Sequence, residues 1–345
     1  MNFLMHTNNQ IMMLHNLALK ILKQLEQHFK QPFTDKKPTI IVGLSGGPDS
    51  VFLLHLFAQL AHNNSIKLIA AHLDHGWREN SAHDVNWCKQ LCDTLNIEFH
   101  TEHAQNITHD IKPNGSQEAM GRQLRRAFFK KLSQELNADL IALAHHQDDQ
   151  QETFFLRLIR GTSLSGLRCM DVFSDNYFRP LLKTPKTFIL EYLDTNNIAY
   201  LTDPTNASPN YLRNRIRHQV LPALQACDQR FDKKLESTIE HLREEDNFLQ
   251  ELTKQTFEKI FTHNSKADLL QGNLKEFQAL HSVLQKRVLI YWLIQSKAHF
   301  TAQQSFLLEL LKFLNSPHGG THQVHDTWFI KKQSNLFWIT TKITI

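Results

Sequence analysis

Short apolar runs at Thr39–Leu44, Lys67–Leu73, Ile97–Thr101 and Asp139–Ala144 alternate with stretches of helical periodicity at Asp49–Leu60, Asp84–Leu95 and Gln117–Leu136. The runs have the pattern of strands buried on both faces, the longer stretches that of helices with one apolar stripe. Strand and helix in alternation predict crossover connections and an α/β fold with a doubly wound, mostly parallel sheet. An amphipathic helix is expected at Ile11–Phe29. After the Pro-containing stretch Asp203-Pro204-Thr205-Asn206-Ala207-Ser208-Pro209 and a basic run to Pro222, helical patterns take over at about Phe231–Phe261, Leu274–Ile294 and Ala302–Leu314. Two domains are therefore expected, 1–222 and a smaller, mainly helical 223–345. The end alternates with period two, at Thr321–Ile330 and Asn335–Thr341 around Lys331-Lys332-Gln333-Ser334, which predicts a terminal hairpin.

Open parallel sheets bind ligands beyond the carboxyl ends of their strands, and three polar segments follow strands here. The first is Ser45-Gly46-Gly47-Pro48-Asp49-Ser50. Its glycines let backbone N–H groups approach an anion, and the helix that follows aims its unpaired amides and positive dipole end at the same point. The loop lacks the lysine of a Walker A sequence and the spacing of a dinucleotide fingerprint. The second segment is His72-Leu73-Asp74-His75-Gly76, and the third is His145-His146-Gln147-Asp148-Asp149. Their histidines accompany no recognised zinc spacing.

Composition narrows the setting. The 345 residues are 41% hydrophobic and 21% charged, as in a globular protein, and the net charge of +4 points only weakly to an anionic partner. No apolar run reaches the roughly 18–20 residues of a membrane span, so a cytoplasmic protein without membrane association is expected. Cys88, Cys92, Cys169 and Cys227 contain no Cys-x-x-Cys pair and read as reduced thiols.

Three further clusters carry charge. In the helix capped by Ser116, the side chains of Glu118, Arg122, Arg125 and Arg126 share a face suited to phosphate or carboxylate. Asp149 and Glu152, three apart in the first turn of a helix that stops at Gly161, can hold a cationic amine or simply complement the helix dipole. Arg213, Arg215 and Arg217 suit a phosphodiester backbone at the domain junction, or else a solvated linker.

The loop Ser45–Ser50 resembles that of the ATP pyrophosphatase, or PP-loop, group. The segments in this order, from about Ile40 to Pro222, resemble the tRNA(Ile)-lysidine synthetase family. The most specific piece runs from Ala142 to Thr153, followed by Leu156–Thr162 and Gly166-Leu167; Arg179-Pro180-Leu181-Leu182 supports it. The resemblance implies a Rossmann-like fold and a ligase that joins free L-lysine to C2 of the wobble cytidine of the CAU-anticodon isoleucine tRNA, by way of an adenylated base. It further implies ATP and Mg²⁺, with Ser45, Gly46, Gly47, Pro48, Asp49 and Ser50 on the nucleotide and Asp49 facing the metal. Arg125, Asp149 and Glu152 would handle lysine, Arg213, Arg215 and Arg217 would contact tRNA, and the enzyme would be a monomer or homodimer. Three positions depart from the family pattern: Gly121 stands for alanine, Asp74 for asparagine and Trp77 for leucine. The tail resembles only the first C-terminal domain of longer members. Other readings are a PP-loop tRNA thiolase, whose relatives rely on paired catalytic cysteines or a bound cluster, and a non-catalytic nucleic-acid-binding module.

Overall fold

The computed structural model describes residues 2–30, 37–63, 65–77, 81–107, 117–202, 211–265, 269–298, 300, 303–325 and 327–341. Ser116, Arg78 and the segment 203–209 lie outside the described residues, as does the side chain of Glu118. Two compact units result, Met1–Ile239 and Glu240–Ile345, so the division falls inside one long helix.

The first unit contains α1 (Asn2–Phe29), β1 (Thr39–Gly43), α2 (Pro48–His62), β2 (Lys67–Asp74), α3 (Ser81–Thr94), β3 (Glu98–His103), α4 (Gln117–Glu135), β4 (Leu140–Ala142) and α5 (Gln147–Arg160). It continues with α6 (Leu164–Leu167), β5 (Phe173–Ser174), β6 (Tyr177–Phe178), α7 (Lys186–Thr195), α8 (Leu212–Arg215), α9 (Leu221–Cys227) and the start of α10 (Phe231–Ile260). The sheet order is β3-β2-β1-β4-β6-β5, parallel throughout except for β5.

The period-two geometry of a strand explains the layers. Ile40, Val42, Leu68, Ala70, Leu140 and Ala142 face one way, into a core with Leu25, Phe52, Phe57 and Ile189 of α1, α2 and α7. Ile41, Ile69, Ala71, Leu73 and Ile141 face the other, against Leu124, Phe128 and Leu132 of α4. Both faces are covered, which is why these strands read as unbroken apolar runs. β1 pairs with β2 on one side and β4 on the other. The strand order reverses there, and the ligand crevice lies beyond the ends of β1 and β4.

In the second unit, α10 is followed by β7 (Phe261–Asn264), β8 (Leu269–Asn273), α11 (Leu274–Gln278), α12 (Ser282–Gln295), α13 (Gln304–Asn315), β9 (Gly320–His325), β10 (Trp328–Gln333) and β11 (Leu336–Thr340). The expected hairpin forms between β10 and β11, but within a five-stranded antiparallel sheet of order β7-β8-β11-β10-β9. β7 and β8 are too short to show a period. The single helix expected over 274–294 is two, because the His281 side chain accepts from Val283 N (3.3 Å) and starts a new one. Phe261, Phe277, Trp292 and Phe337 fill the core. Among the described residues no helix is long and apolar enough to cross a membrane.

Candidate active site

After β1 the chain turns through Gly46 at φ +82°, where a Cβ would sit 2.7 Å from Leu201 Cδ1. Only glycine suits both the angle and the space. Leu201 N donates to Gly46 O (2.9 Å) and ties the loop down. Ser50 Oγ donates to Gly47 O (2.9 Å), accepts from Ser45 N (3.1 Å) and lies 3.1 Å from Ser45 Oγ. α2 then opens at Pro48 with no side chain capping it, which leaves first-turn N–H groups for an anion. That is an anion cradle. From behind, His72 Nδ1 donates to Leu44 O (2.9 Å), and burial lowers the His72 pKa, so the ring stays neutral.

Beside the cradle, β4 runs into α5. His146 N donates to Asp149 Oδ2 (3.0 Å), the hydrogen bond that starts the helix. The buried His146 ring has Asp49 Oδ1 at 3.6 Å, Asp148 Oδ1 at 3.5 Å and Asp149 Oδ2 at 3.5 Å. Burial opposes its charge, but these carboxylates outweigh burial and raise its pKa to about 10. His146 is thus an imidazolium joining Asp49 of the loop to Asp149 of α5. Lys186, the first residue of α7, pairs with Asp49 through Nζ, and its N–H donates to Asp148 Oδ1 (3.1 Å). Burial works against the Asp49 charge, yet His146 and Lys186 hold its pKa below the ordinary carboxylate value.

Glu152 is 0% exposed and accepts from Arg213 Nε (2.6 Å) and Arg217 Nε (2.5 Å); Arg213 also reaches Asp149 Oδ1 (3.2 Å). Arg217 is carried by a π-turn, Ile216–Val220, that continues α8. The cations beside the Asp149 and Glu152 carboxylates are the chain's own Arg213 and Arg217, which lie within the first unit and not where the chain divides, after Ile239. Arg215, between them, is exposed. Arg125 stands on the solvent side of α4, its Nε 3.4 Å from Gly121 O, close enough to His75 to lower that ring's pKa.

Arg179, 6% exposed, donates to Asp171 O (3.1 Å) and leaves its buried Nε without a hydrogen-bond partner. Burial, Arg122 and Arg126 depress its pKa. Such crowding of like charges is relieved by an anion. His145 lies in the same field; burial and the arginines bring its pKa to about 4 against the pull of Asp149.

Lys186 is the member that the sequence pattern missed, while His146 and Arg179 stood in quoted motifs with no role assigned to them. One local signal existed for Lys186: a lysine in a helix's first turn opposes the dipole and needs a partner elsewhere. Gln150 and Gln151, within the most specific motif, are structural. Gln150 exchanges hydrogen bonds with Met170 O (2.8 Å) and Met170 N (2.9 Å), and Gln151 donates to Asp232 (3.0 Å). Asp74 is also structural, accepting from Gly76 N (2.8 Å) and Ser81 Oγ (3.4 Å). Cys88 and Cys92 are buried, and burial pushes both thiols to about 12, far from the thiolate range.

For Mg²⁺ the donor chemistry fits. Among the described residues no group of three or more His, Cys, Asp or Glu side chains forms a metal cage. Mg²⁺ is commonly held by one or two carboxylates plus substrate phosphates, and Asp49 beside the cradle provides such a carboxylate.

A sheet whose order reverses at a glycine-rich phosphate loop defines the class, and a family model for a PP-loop domain matches residues 17–224. A solved U34-tRNA thiolase from Methanococcus maripaludis shares the fold at TM-score 0.53 and 17% identity, over 67% of this chain and 80% of that one. The chain belongs to the tRNA(Ile)-lysidine synthase family. It is 37% identical over 264 residues to the tRNA(Ile)-lysidine synthase of Bacillus subtilis (strain 168), covering 75% of this chain and 55% of that protein. To the tRNA(Ile)-lysidine synthase of Francisella tularensis subsp. novicida it is 33% identical over 288 residues, 81% of this chain and 68% of that protein. The chain thus spans between about half and two thirds of these relatives' length.

Proposed function

We propose that the protein is a tRNA(Ile)-lysidine synthetase, an ATP-dependent ligase that joins free L-lysine to C2 of the wobble cytidine of the CAU-anticodon isoleucine tRNA. One observation carries the reading: a single imidazolium, His146, separates the phosphate-loop carboxylate of Asp49 from the cation-holding carboxylate of Asp149. Nucleotide chemistry and amine capture therefore occur side by side.

The cytosine C2 carbonyl is a poor electrophile because its oxygen leaves badly. Attack of O2 on the α-phosphorus of ATP breaks the α–β bridge, releases pyrophosphate and makes that oxygen part of an AMP leaving group. Ser45, Ser50 and the α2 N–H groups receive the pyrophosphate. Lys186 and His146 supply positive charge at the loop, while Arg122, Arg126 and Arg179 face the adenylate. Asp49 would hold Mg²⁺, which would neutralise charge on the phosphates. Asp149 and Glu152 orient the lysine amine, which attacks C2 and expels AMP. Its ε-amine must be neutral to attack, and the surrounding guanidinium groups, Arg125 among them, favour loss of the proton.

Arg215 contacts the RNA backbone, with Arg213 and Arg217 turned towards the carboxylates until substrate engages. The second unit, with the Arg213–Arg217 segment, holds the tRNA. The buried thiols favour ligation over thiolation. ATP-dependent attachment of labelled lysine to unfractionated tRNA tests the reading; release of pyrophosphate and AMP without label in tRNA would refute it.

A further inference from the structure

Trp77 and Gly121 touch each other. Trp77 follows β2 and Gly121 lies on α4; a Cβ at Gly121 would come within 2.5 Å of Trp77 Cη2, 3.3 Å of its Cζ3 and 3.4 Å of His75 Cε1. The indole rests on helix backbone that any larger residue would deny it. One face stacks on His75, with ring centroids 4.4 Å apart and planes at 20°. Burial, then Arg125, lowers the His75 pKa to about 4, so the supporting ring is neutral. Asp74 accepts from Gly76 N and Ser81 Oγ. Gly76 sits at φ +63°, with room for a Cβ denied by His103 Nε2 at 2.7 Å. Held along an edge and across a face, Trp77 is nevertheless 42% exposed at the ligand rim. A large, positioned and half-open aromatic is an informative departure from burial.

We infer that Trp77 is a stacking platform for an unpaired base of the substrate RNA, next to the cytidine that reacts. The inference rests on the RNA-modifying reading above. Arg122, Arg125 and Arg126 lie on the solvent side of the same helix that carries Gly121. An aromatic face beside guanidinium groups is the combination that binds splayed-out bases and their phosphates. The adenine of ATP is the less suitable occupant. α4 packs on the sheet face opposite α2, whose N-terminus forms the phosphate cradle.

The test uses the full chain and a synthetic anticodon stem-loop of the isoleucine tRNA. Trp77→Leu should weaken stem-loop binding by about tenfold, whereas Trp77→Phe, which keeps a stacking ring, should stay within about threefold of wild type. Gly121→Ala, which displaces the indole without removing it, should behave like Trp77→Leu. Stem-loop addition should quench wild-type tryptophan fluorescence, and that quench should shrink in Trp77→Phe. The KM for ATP should be unchanged in all three. Wild-type stem-loop affinity in Trp77→Leu overturns the platform, as does a raised KM for ATP with RNA binding intact, which would give the ring to adenine. Should Trp77→Leu fail to fold, the quench difference between wild type and Trp77→Phe decides. Failure of the functional reading is separable: wild type would then bind the stem-loop with a Trp77-dependent quench yet attach no labelled lysine, or bind no RNA at all, which refutes both.

Discussion

Replacing Glu152 by glutamine preserves shape and one acceptor but removes the charge on which two guanidinium groups converge. The carboxylate is 0% exposed, and its oxygens accept from Arg213 at 2.6 Å and Arg217 at 2.5 Å. Removing one partner of a buried ion pair costs about 3–5 kcal/mol, chiefly because the other charge is left uncompensated. Here the remaining charges are partly wet, since the Arg213 and Arg217 side chains are 25% and 37% exposed. Solvent screening therefore reduces the expected loss to about 2–3 kcal/mol. For a unit of this size, at about 2–4 °C per kcal/mol, the melting temperature should fall by about 4–12 °C. Scanning calorimetry of the full chain measures it, following the transition of the first unit. Arg213→Met combined with Glu152→Gln should destabilise less than the sum of the two single changes, because the pair acts as a unit. A Tm within about 1 °C of wild type for Glu152→Gln, with strict additivity in the double variant, would refute the claim that this cluster holds α5 against the Arg213–Arg217 segment.

Asp49→Asn should abolish ATP-dependent pyrophosphate release while leaving tRNA binding intact in filter binding, because it removes a carboxylate at the loop and no phosphate contact. His146 has a folded-state pKa of about 10 against an ordinary 6.5, so its stabilising contribution is complete below 6.5 and disappears as pH rises through 10. Denaturant midpoints measured across that window should fall more steeply for wild type than for His146→Gln. Arg215→Gln, which leaves the Arg213 and Arg217 ion pairs in place, should lower the slope of log affinity for tRNA against log salt by up to about 0.7–0.9; an unchanged slope would return Arg215 to a solvated linker.

The apolar runs and helical stripes of the first unit were legible in sequence because a strand covered on both faces and a helix covered on one impose different periods, with no help from distant residues. The phosphate loop was legible too, since glycine-rich geometry at a strand-to-helix turn is a local property, as was the stop of α5 at Gly161, which lies at φ +74°. Short strands such as β7 and β8 left no periodic trace. Neither did the partners of charged groups. Sequence marked Arg213 and Arg217 as cations suited to RNA, but only the folded chain brings them across 61 and 65 residues to Glu152. Lys186, 137 residues from Asp49, became a member of the site in the same way. Trp77 and Gly121 appeared in sequence as unrelated departures, and contact made them a pair. Local patterns report the free energy of burying or bending a short segment; the identity of an ionic partner or a packing neighbour depends on through-space distance, which crossover topology sets and sequence separation conceals.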